Sequence, residues 1–343
     1  MSGGLRTRLA LFVVVVTLTV SAVGAAGVVT DHGHTEKPSV EQPHFQPDAV
    51  EVDDLERDGK IEYEHVGESK TVLIDVAYAN DVSRADLQPF VSALTAGGHD
   101  VVYHERHDSD RTVEDRRDRL RDRLQDVDAY VVVEPGARYS AEEADVVAGF
   151  ADAGGRVMFA AGPETGGTAD ILSGLLGLSA PTADGEIESV SSSVGIAYDT
   201  GYLYDMETYE HNYRTIAATP TGDAALTAGV DRVVFDGPTR VVGDGPTLLS
   251  TNPTAEHSET REAGEYGVAV RSDNAVGVGD AGFMTGERYN RADNEVFIGN
   301  LIDFLVSGDK APGEPSGPSD GGAAHDELPE GIGEDADGGS DGS

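Results

Sequence analysis

The sequence predicts a doubly wound α/β domain, and three observations carry that reading. Four short runs dominated by large apolar residues, Thr71–Val76, Asp100–His104, Ala129–Glu134 and Arg156–Ala160, have the length and composition of buried strands. Stretches of helical periodicity separate them. The connections are short, so the crossovers should be right-handed and the sheet mostly parallel, with helices on both faces.

Each element has its own warrant. Ser83–Ala96 places Leu87, Phe90, Val91 and Leu94 on one face, with Ser83 as the expected N-cap and Gly97-Gly98 as the stop. Val113–Val127 carries Val113, Leu120, Leu124 and Val127 on one stripe. Its five arginines alternate with acids, which predicts a solvated, self-paired face. Ser140–Ala153 opens with a capping box, Ser140 to Glu143, and ends at Gly154-Gly155. Ala169–Leu178 is the next expected helix. Beyond Ser179 the pattern turns strand-rich, with runs at Arg232–Phe235, Pro246–Ser250, Gly267–Val270 and Ala275–Val278. A closing helix, Glu295–Val306, has Phe297, Leu301, Phe304 and Leu305 as its core face, Asn294 as cap and Gly308 as stop.

Composition speaks to environment. There are 63 acidic residues against 24 basic ones, a formal charge of −39, and only four lysines: Lys37, Lys60, Lys70 and Lys310. Such self-repulsion opposes compaction in dilute buffer and is screened at molar salt, where the Debye length is about 3 Å. A chain this acidic lacks the basic footprint that nucleic acid requires. With no Cys, disulfides and a lipoprotein anchor are excluded. Leu9–Val29, behind Arg6 and Arg8, is long enough to span a bilayer at about 20 residues. It predicts a single-pass anchor over residues 1–30 with the body outside the cell; small residues at Ala22–Ala26 leave signal cleavage and secretion as the alternative. Residues 31–68 read as a polar stalk, 69–306 as the folded body and 307–343 as a disordered acidic tail. His32, His34, Glu36 and His44 read as scattered stalk residues rather than a metal site.

Reactive groups in doubly wound folds sit past the carboxyl ends of the strands. Here those ends read Ala77-Tyr78-Ala79-Asn80-Asp81, Pro135-Gly136-Ala137-Arg138 and Ala161-Gly162-Pro163-Glu164. None carries a Cys, a Gly-x-Ser-x-Gly turn or a Gly-x-Gly-x-x-Gly cradle, so no catalytic residue and no cofactor is expected. Asp75, Asn80, Glu134, Glu164 and Asp280 fall at or near these ends and could hold a polar ligand or a hard cation. The same residue types also suit turns and caps, which leaves metal binding open. Tyr198, Tyr202, Tyr204, Tyr209 and Tyr213 form the densest aromatic cluster. Tyr202, Tyr204 and Tyr209 are candidate partner contacts, and Tyr198–Tyr213 is expected to roof the strand-end crevice.

The run Thr71–Asp81, the unit around Asp128–Gly155 and the ending Val278–Leu305 together resemble the archaeal domain-of-unknown-function 4350 family. The resemblance rests above all on Gly279-Asp280-Ala281-Gly282-Phe283-Met284-Thr285 followed by Ala292-Asp293-Asn294-Glu295, and it covers about 71–306. It implies the flavodoxin-like fold of the class I glutamine amidotransferases, and the acidic composition resembles haloarchaeal proteins. Amidotransferases of this fold carry a Cys in the turn after the strand that matches Arg156–Ala160. This chain has Ala160-Ala161-Gly162-Pro163 there, so thioester chemistry has no nucleophile. The resemblance implies no activity of its own.

Three classes of function follow. The first is a membrane-tethered extracellular binding or assembly module with a protein partner in the cell envelope. The second is an exported hydrolase using strand-end carboxylates or a cation. The third is a structural envelope component.

Overall fold

A computed structural model describes residues 59–64, 67–163, 184–222 and 225–316. The chain divides into two units, 1–54 and 55–343, and all described residues belong to the second. The expected anchor at Leu9–Val29, most of the stalk, the helix at Ala169–Leu178, Glu164 and the tail beyond residue 316 lie outside the described residues. No helix among the described residues is long and apolar enough to cross a membrane.

The order of elements is β1 (Thr71–Asp75), α1 (Gln88–Ala96), β2 (Asp100–His104), α2 (Val113–Gln125), β3 (Ala129–Val133), α3 (Ala141–Asp152), β4 (Arg156–Ala160) and α4 (Asp184–Ser191). There follow β5 (Ile196–Tyr198), β6 (Leu203–Tyr204), β7 (Thr215–Pro220), β8 (Val233–Asp236), β9 (Val241–Gly243), β10 (Thr247–Thr251) and β11 (Glu256–His257). The chain continues through β12 (Gly267–Ser272), β13 (Ala275–Val278) and α5 (Asn294–Val306).

One nine-stranded sheet, in the order β2-β1-β3-β4-β13-β12-β10-β7-β8, organises the body. The first five strands are parallel, with registers such as Thr71↔Asp100, Val72↔Ala129 and Val278↔Ala160. From β13 outward every pairing is antiparallel. The strand-rich second half therefore extends the same sheet, and Ala275–Val278 inserts beside β4 as the fifth parallel strand.

Alternation along the strands makes two cores. Val72, Ile74, Val131 and Met158 face α1 and α5, while Leu73, Tyr130, Val132 and Phe159 face α2, α3 and α4. Helix α5 inserts Phe297, Ile298, Leu301, Ile302 and Leu305, all buried, and each contributes about 2 kcal/mol of apolar transfer. A β5–β9 ribbon covers the second face, where Ile196, Tyr198 and Val241 pack. Gly277 of β13 permits that approach, because a Cβ there would lie 2.7 Å from the Ile196 side chain.

Two expected caps are corrected. Ser83 does not open a helix: its hydroxyl and N–H bond Asp86 in a turn, and α1 begins at Gln88 with Pro89 in its first turn. Proline's fixed φ suits that position. Asn294 is the first residue of α5 rather than its cap, and its buried amide bonds Val234 in both directions. The Ser140–Glu143 capping box forms as expected, and Thr112–Asp115 makes a second one at α2.

Residues on either side of the expected 69–306 body also touch it. The Tyr63 ring lies tilted beside His99, with centroids 5.9 Å apart, and the Glu64 N–H donates to Asp303 at 2.9 Å. Lys310 Nζ donates to the Gln125 carbonyl, and the Ala311 N–H to that of Ala153.

Candidate functional site

Because β2, β1, β3, β4 and β13 are parallel, their carboxyl ends share one edge of the sheet. Asp75 ends β1, Glu134 follows β3 and Asp280 follows β13, so these three reach one edge, while Glu164 lies outside the described residues.

What they do there is bind the protein itself. Asp75 is buried, and Asn80 Nδ2 donates to its Oδ2 at 3.1 Å. Burial pushes the Asp75 carboxyl up to about 7, against hydrogen bonding from Asn80, the Ala77 N–H, Tyr139 and Tyr130. Around it, the Tyr130 and Tyr139 hydroxyls lie 3.1 Å apart, and Tyr78 stacks on Tyr139 with centroids 3.7 Å apart. The Tyr78 hydroxyl donates to Glu143 Oε1 at 2.8 Å, and Arg116 Nε donates to the same oxygen at 3.0 Å. Glu143 is fully buried and also accepts the Ser140 N–H, so one polar network joins the β1 end to the start of α3. Burial and the neighbouring Glu143 raise the Tyr78 phenol well above its usual value, leaving it a hydrogen-bond donor.

The β1 and β3 loops are laced together by backbone. The Asp81 N–H donates to the Glu134 carbonyl and the Gly136 N–H to the Tyr78 carbonyl, both at 2.9 Å. Asn80 Nδ2 adds a 2.8 Å bond to the Val133 carbonyl. Gly136 is required, since a Cβ there would sit 2.6 Å from the Ala79 carbonyl oxygen. Ala79 and Glu134 both take positive φ, 55° and 41°, so each of the two laced loops carries a strained non-glycine residue.

Glu134 Oε1 accepts the Gly162 N–H at 2.8 Å, and Gly162 also borders the Asp280 backbone. The Asp280 oxygens accept the Asp236 N–H at 3.0 Å and the Gly282 N–H at 2.7 Å. Burial raises the Asp280 pKa, opposed by those two bonds and by Arg288. The structure thus brings Asp75 to Asn80 and Glu134 near Asp280, in two separate groups. Among the described residues, no three His, Asp or Glu side chains stand close enough to share a metal ion.

With the β1–β3 gap filled, space opens on the other side of β1. Ala77, Tyr78, His104, Arg106, Asp110, Arg116, Ala137 and Arg138 line a cleft of about 120 Å³. His104 ends β2 and is buried; burial, with Arg123 nearby, lowers its pKa to about 4, so the ring is neutral at pH 7. Sequence reasoning weighed the carboxylates at the strand ends and passed over His104, Arg106 and Arg138. All three were legible by position, at or just past the ends of predicted strands.

The five arginines of α2 were expected to pair within their own helix. Arg117 and Arg121 do so, through Asp118. Arg116, Arg119 and Arg123 reach out instead, to Glu143, Asp110 and the Tyr103 carbonyl.

The tyrosine segment divides. Tyr198 is buried in β5 and donates to the Phe159 carbonyl at 3.1 Å, so it does not roof the crevice. Tyr202, Tyr204 and Tyr213 form a ring cluster on the β6–β11 ribbon, and the Tyr204 hydroxyl is tied to Glu256 at 2.6 Å. Tyr209 is 52% exposed and Met206 62%. The segment borders the Asp280 end of the edge, since the Thr239 hydroxyl bonds the Asp199 carbonyl while its N–H bonds that of Gly279.

No family model matches the chain, and no curated protein does. Among solved structures, the mmIFT52 N-terminal domain is similar over 70% of this chain and 99% of its own, at 12% identity and a TM-score of 0.50. A putative ThuA-like protein from Parabacteroides merdae is similar over 70% of this chain and 91% of its own, at 13% identity and 0.43. The Trypanosoma brucei CTPS glutaminase domain is similar over 71% and 96%, at 11% identity and 0.35. At these identities the first likeness speaks to the fold alone, a mixed α/β body around a large sheet.

Proposed function

We propose that this chain is a non-catalytic binding or assembly module, tethered to the membrane by Leu9–Val29 with its body outside the cell. It meets a protein partner in the envelope through the strand-end edge and the adjoining tyrosine segment. The observation that carries the reading is that the strand-end carboxylates are already bonded inside the protein. Asp75 is held by Asn80, Glu134 by the Gly162 N–H and Asp280 by two backbone N–H groups. Groups spent on holding loops make a rigid edge suited to recognition.

The order β2-β1-β3-β4-β13, with β1 between β2 and β3, supports the flavodoxin-like class that the family 4350 resemblance implies. The turn Ala161-Gly162-Pro163 after β4 carries no thiol, which supports a role without thioester chemistry. Exposed Met206, Tyr209 and Tyr213 supply apolar contact area beside the edge.

Proximity cross-linking in native membranes tests the reading. Met206→Ala with Tyr209→Ala alters two exposed side chains and should leave the fold intact while removing the partner's cross-links. Undiminished cross-links to every neighbour in the folded double variant would refute this surface.

A further inference from the structure

The cleft between the β1 and β2 ends has a charge that the rest of the chain does not share. Arg106, Arg116 and Arg138 line it against the single carboxylate of Asp110. Arg116 is paired with Glu143, and Asp110 with Arg119. Arg106 and Arg138 are exposed and have no hydrogen-bond or ion-pair partner among the described residues. The uncompensated charge in the cleft is therefore about +2, in a chain whose formal charge is −39. Elsewhere the acids outnumber the arginines, and most described arginines find a carboxylate or a carbonyl. Two that line one cleft and are left unpaired call for an anion.

A second, independent observation lies in the floor. His104 is only 4% exposed and lines the cleft, yet its Nδ1 is buried with no hydrogen-bond partner. A buried polar atom left unsatisfied carries a cost, and such exceptions are few in folded proteins. Tyr78, on the same wall, has its hydroxyl committed to Glu143 and one ring face to Tyr139, so that wall is fixed. The floor is neutral and rigid while the two free charges stand at the rim.

We propose that this cleft binds a phosphoryl group, with Arg106 and Arg138 closing over its oxygens. The size and charge agree. A cleft of about 120 Å³ has ample room for a phosphoryl group and for what it is esterified to, and a phosphate dianion matches the charge of two guanidiniums. Planar guanidiniums suit tetrahedral oxyanions because they can donate in pairs. This deepens the reading of the strand-end edge as a recognition surface by naming a ligand class for it. It stands apart from the tyrosine segment, so loss of the protein cross-links would leave it unaffected.

The test is calorimetric titration of the full-length chain at constant ionic strength in about 1 M KCl. Inorganic phosphate and glycerol phosphate are titrated in separate arms, with chloride as the matched control. Saturable heat from either phosphate, and none from chloride, is the expected result; the stronger arm tells whether the free ion or an esterified phosphoryl group is recognised. Arg106→Ala with Arg138→Ala should weaken binding roughly tenfold or more with an unchanged melting midpoint, because neither side chain supports the fold. Arg106→Lys with Arg138→Lys, which keeps charge and loses the fork, should fall between. Absence of saturation in both arms, or equal affinity in the folded alanine variant, overturns the proposal.

Discussion

Asn80 donates one amide to both the Asp75 carboxyl and the Val133 carbonyl, at 3.1 and 2.8 Å. A single side chain thus ties the end of β1 to the neighbouring strand and supplies a hydrogen bond to a buried acid. The same residue accepts the Tyr78 N–H at 3.2 Å, which shapes the loop that carries Tyr78 toward Glu143. Loop position and the burial of Asp75 are two aspects of one arrangement.

Asp75 should make stability fall with pH. Its folded pKa of about 7 exceeds the ordinary 3.8, so between these values the unfolded chain releases a proton that the native state keeps. Native stability is then full below pH 4, declines as pH rises through 7 and is level above. The elevation corresponds to about 4 kcal/mol at most. Asp75→Asn should flatten the decline and be more stable than the parent at pH 8, as denaturant midpoints in molar salt would show. A parallel decline in both proteins would remove Asp75 as its source.

Glu143 gathers three donors: Ser140 N–H, the Tyr78 hydroxyl and Arg116 Nε. Glu143→Ala strands a half-buried guanidinium and a buried phenol, and should cost about 3–5 kcal/mol. Glu143→Gln keeps an acceptor and should cost clearly less. Urea midpoints of the two variants, compared at one salt concentration, give the ranking; equal losses would mean that packing rather than the network governs the site.

The parallel half was legible because its inner strands are buried on both faces and read as continuous apolar runs, and even the partly buried edge strand β2 keeps Val101, Val102 and Tyr103 in one run. Asp100–His104 and Arg156–Ala160 match the structure to the residue, and the Ser140 capping box was readable from spacing alone. The Ser83 cap failed because the turn that Ser83 makes with Asp86 competes with a helix start, and Pro89 fixes the start further on. Asp75, Asn80, Glu134 and Asp280 were legible as residues of one edge. Their separation into two groups was not, since it depends on backbone bonds such as Gly136 to Tyr78 that join loops far apart in sequence. The short strands β5, β6, β9 and β11 have only two or three residues each, too few to show a period.

Asn294 should behave as a keystone between α5 and β8. Its Oδ1 accepts the Val234 N–H at 2.8 Å, and its Nδ2 donates to the Val234 and Arg288 carbonyls at 3.1 and 2.9 Å. Asn294→Ala leaves those backbone groups buried and unpaired, at a cost of about 2–4 kcal/mol. Asn294→Asp keeps the acceptor and turns the donor against two carbonyls, so it should be the worse of the two. Thermal midpoints decide; an aspartate variant as stable as the parent would mean that the amide's donors carry no weight.

Salt should decide whether the body is folded at all. The formal charge of −39 is carried by 63 acids spread along the chain, and most of the described arginines pair locally rather than neutralising it. Exposed pairs such as Arg117–Asp118 contribute little, about 0–1 kcal/mol each, so they cannot offset the summed repulsion. At about 0.01 M salt the Debye length is roughly 30 Å, which lets charges across a domain repel one another; at 1 M it is about 3 Å, and only neighbours interact. The interior, by contrast, rests on apolar contacts such as those of α5, which salt does not weaken. Thermal midpoints should therefore rise steeply from dilute buffer to molar KCl and then level off. Choline chloride at equal ionic strength should act similarly, because the effect is screening rather than binding of a particular cation. Midpoints that do not move with salt would show that the acidic surface is already accommodated by local pairing, and a response to K⁺ alone would replace screening with specific ion binding.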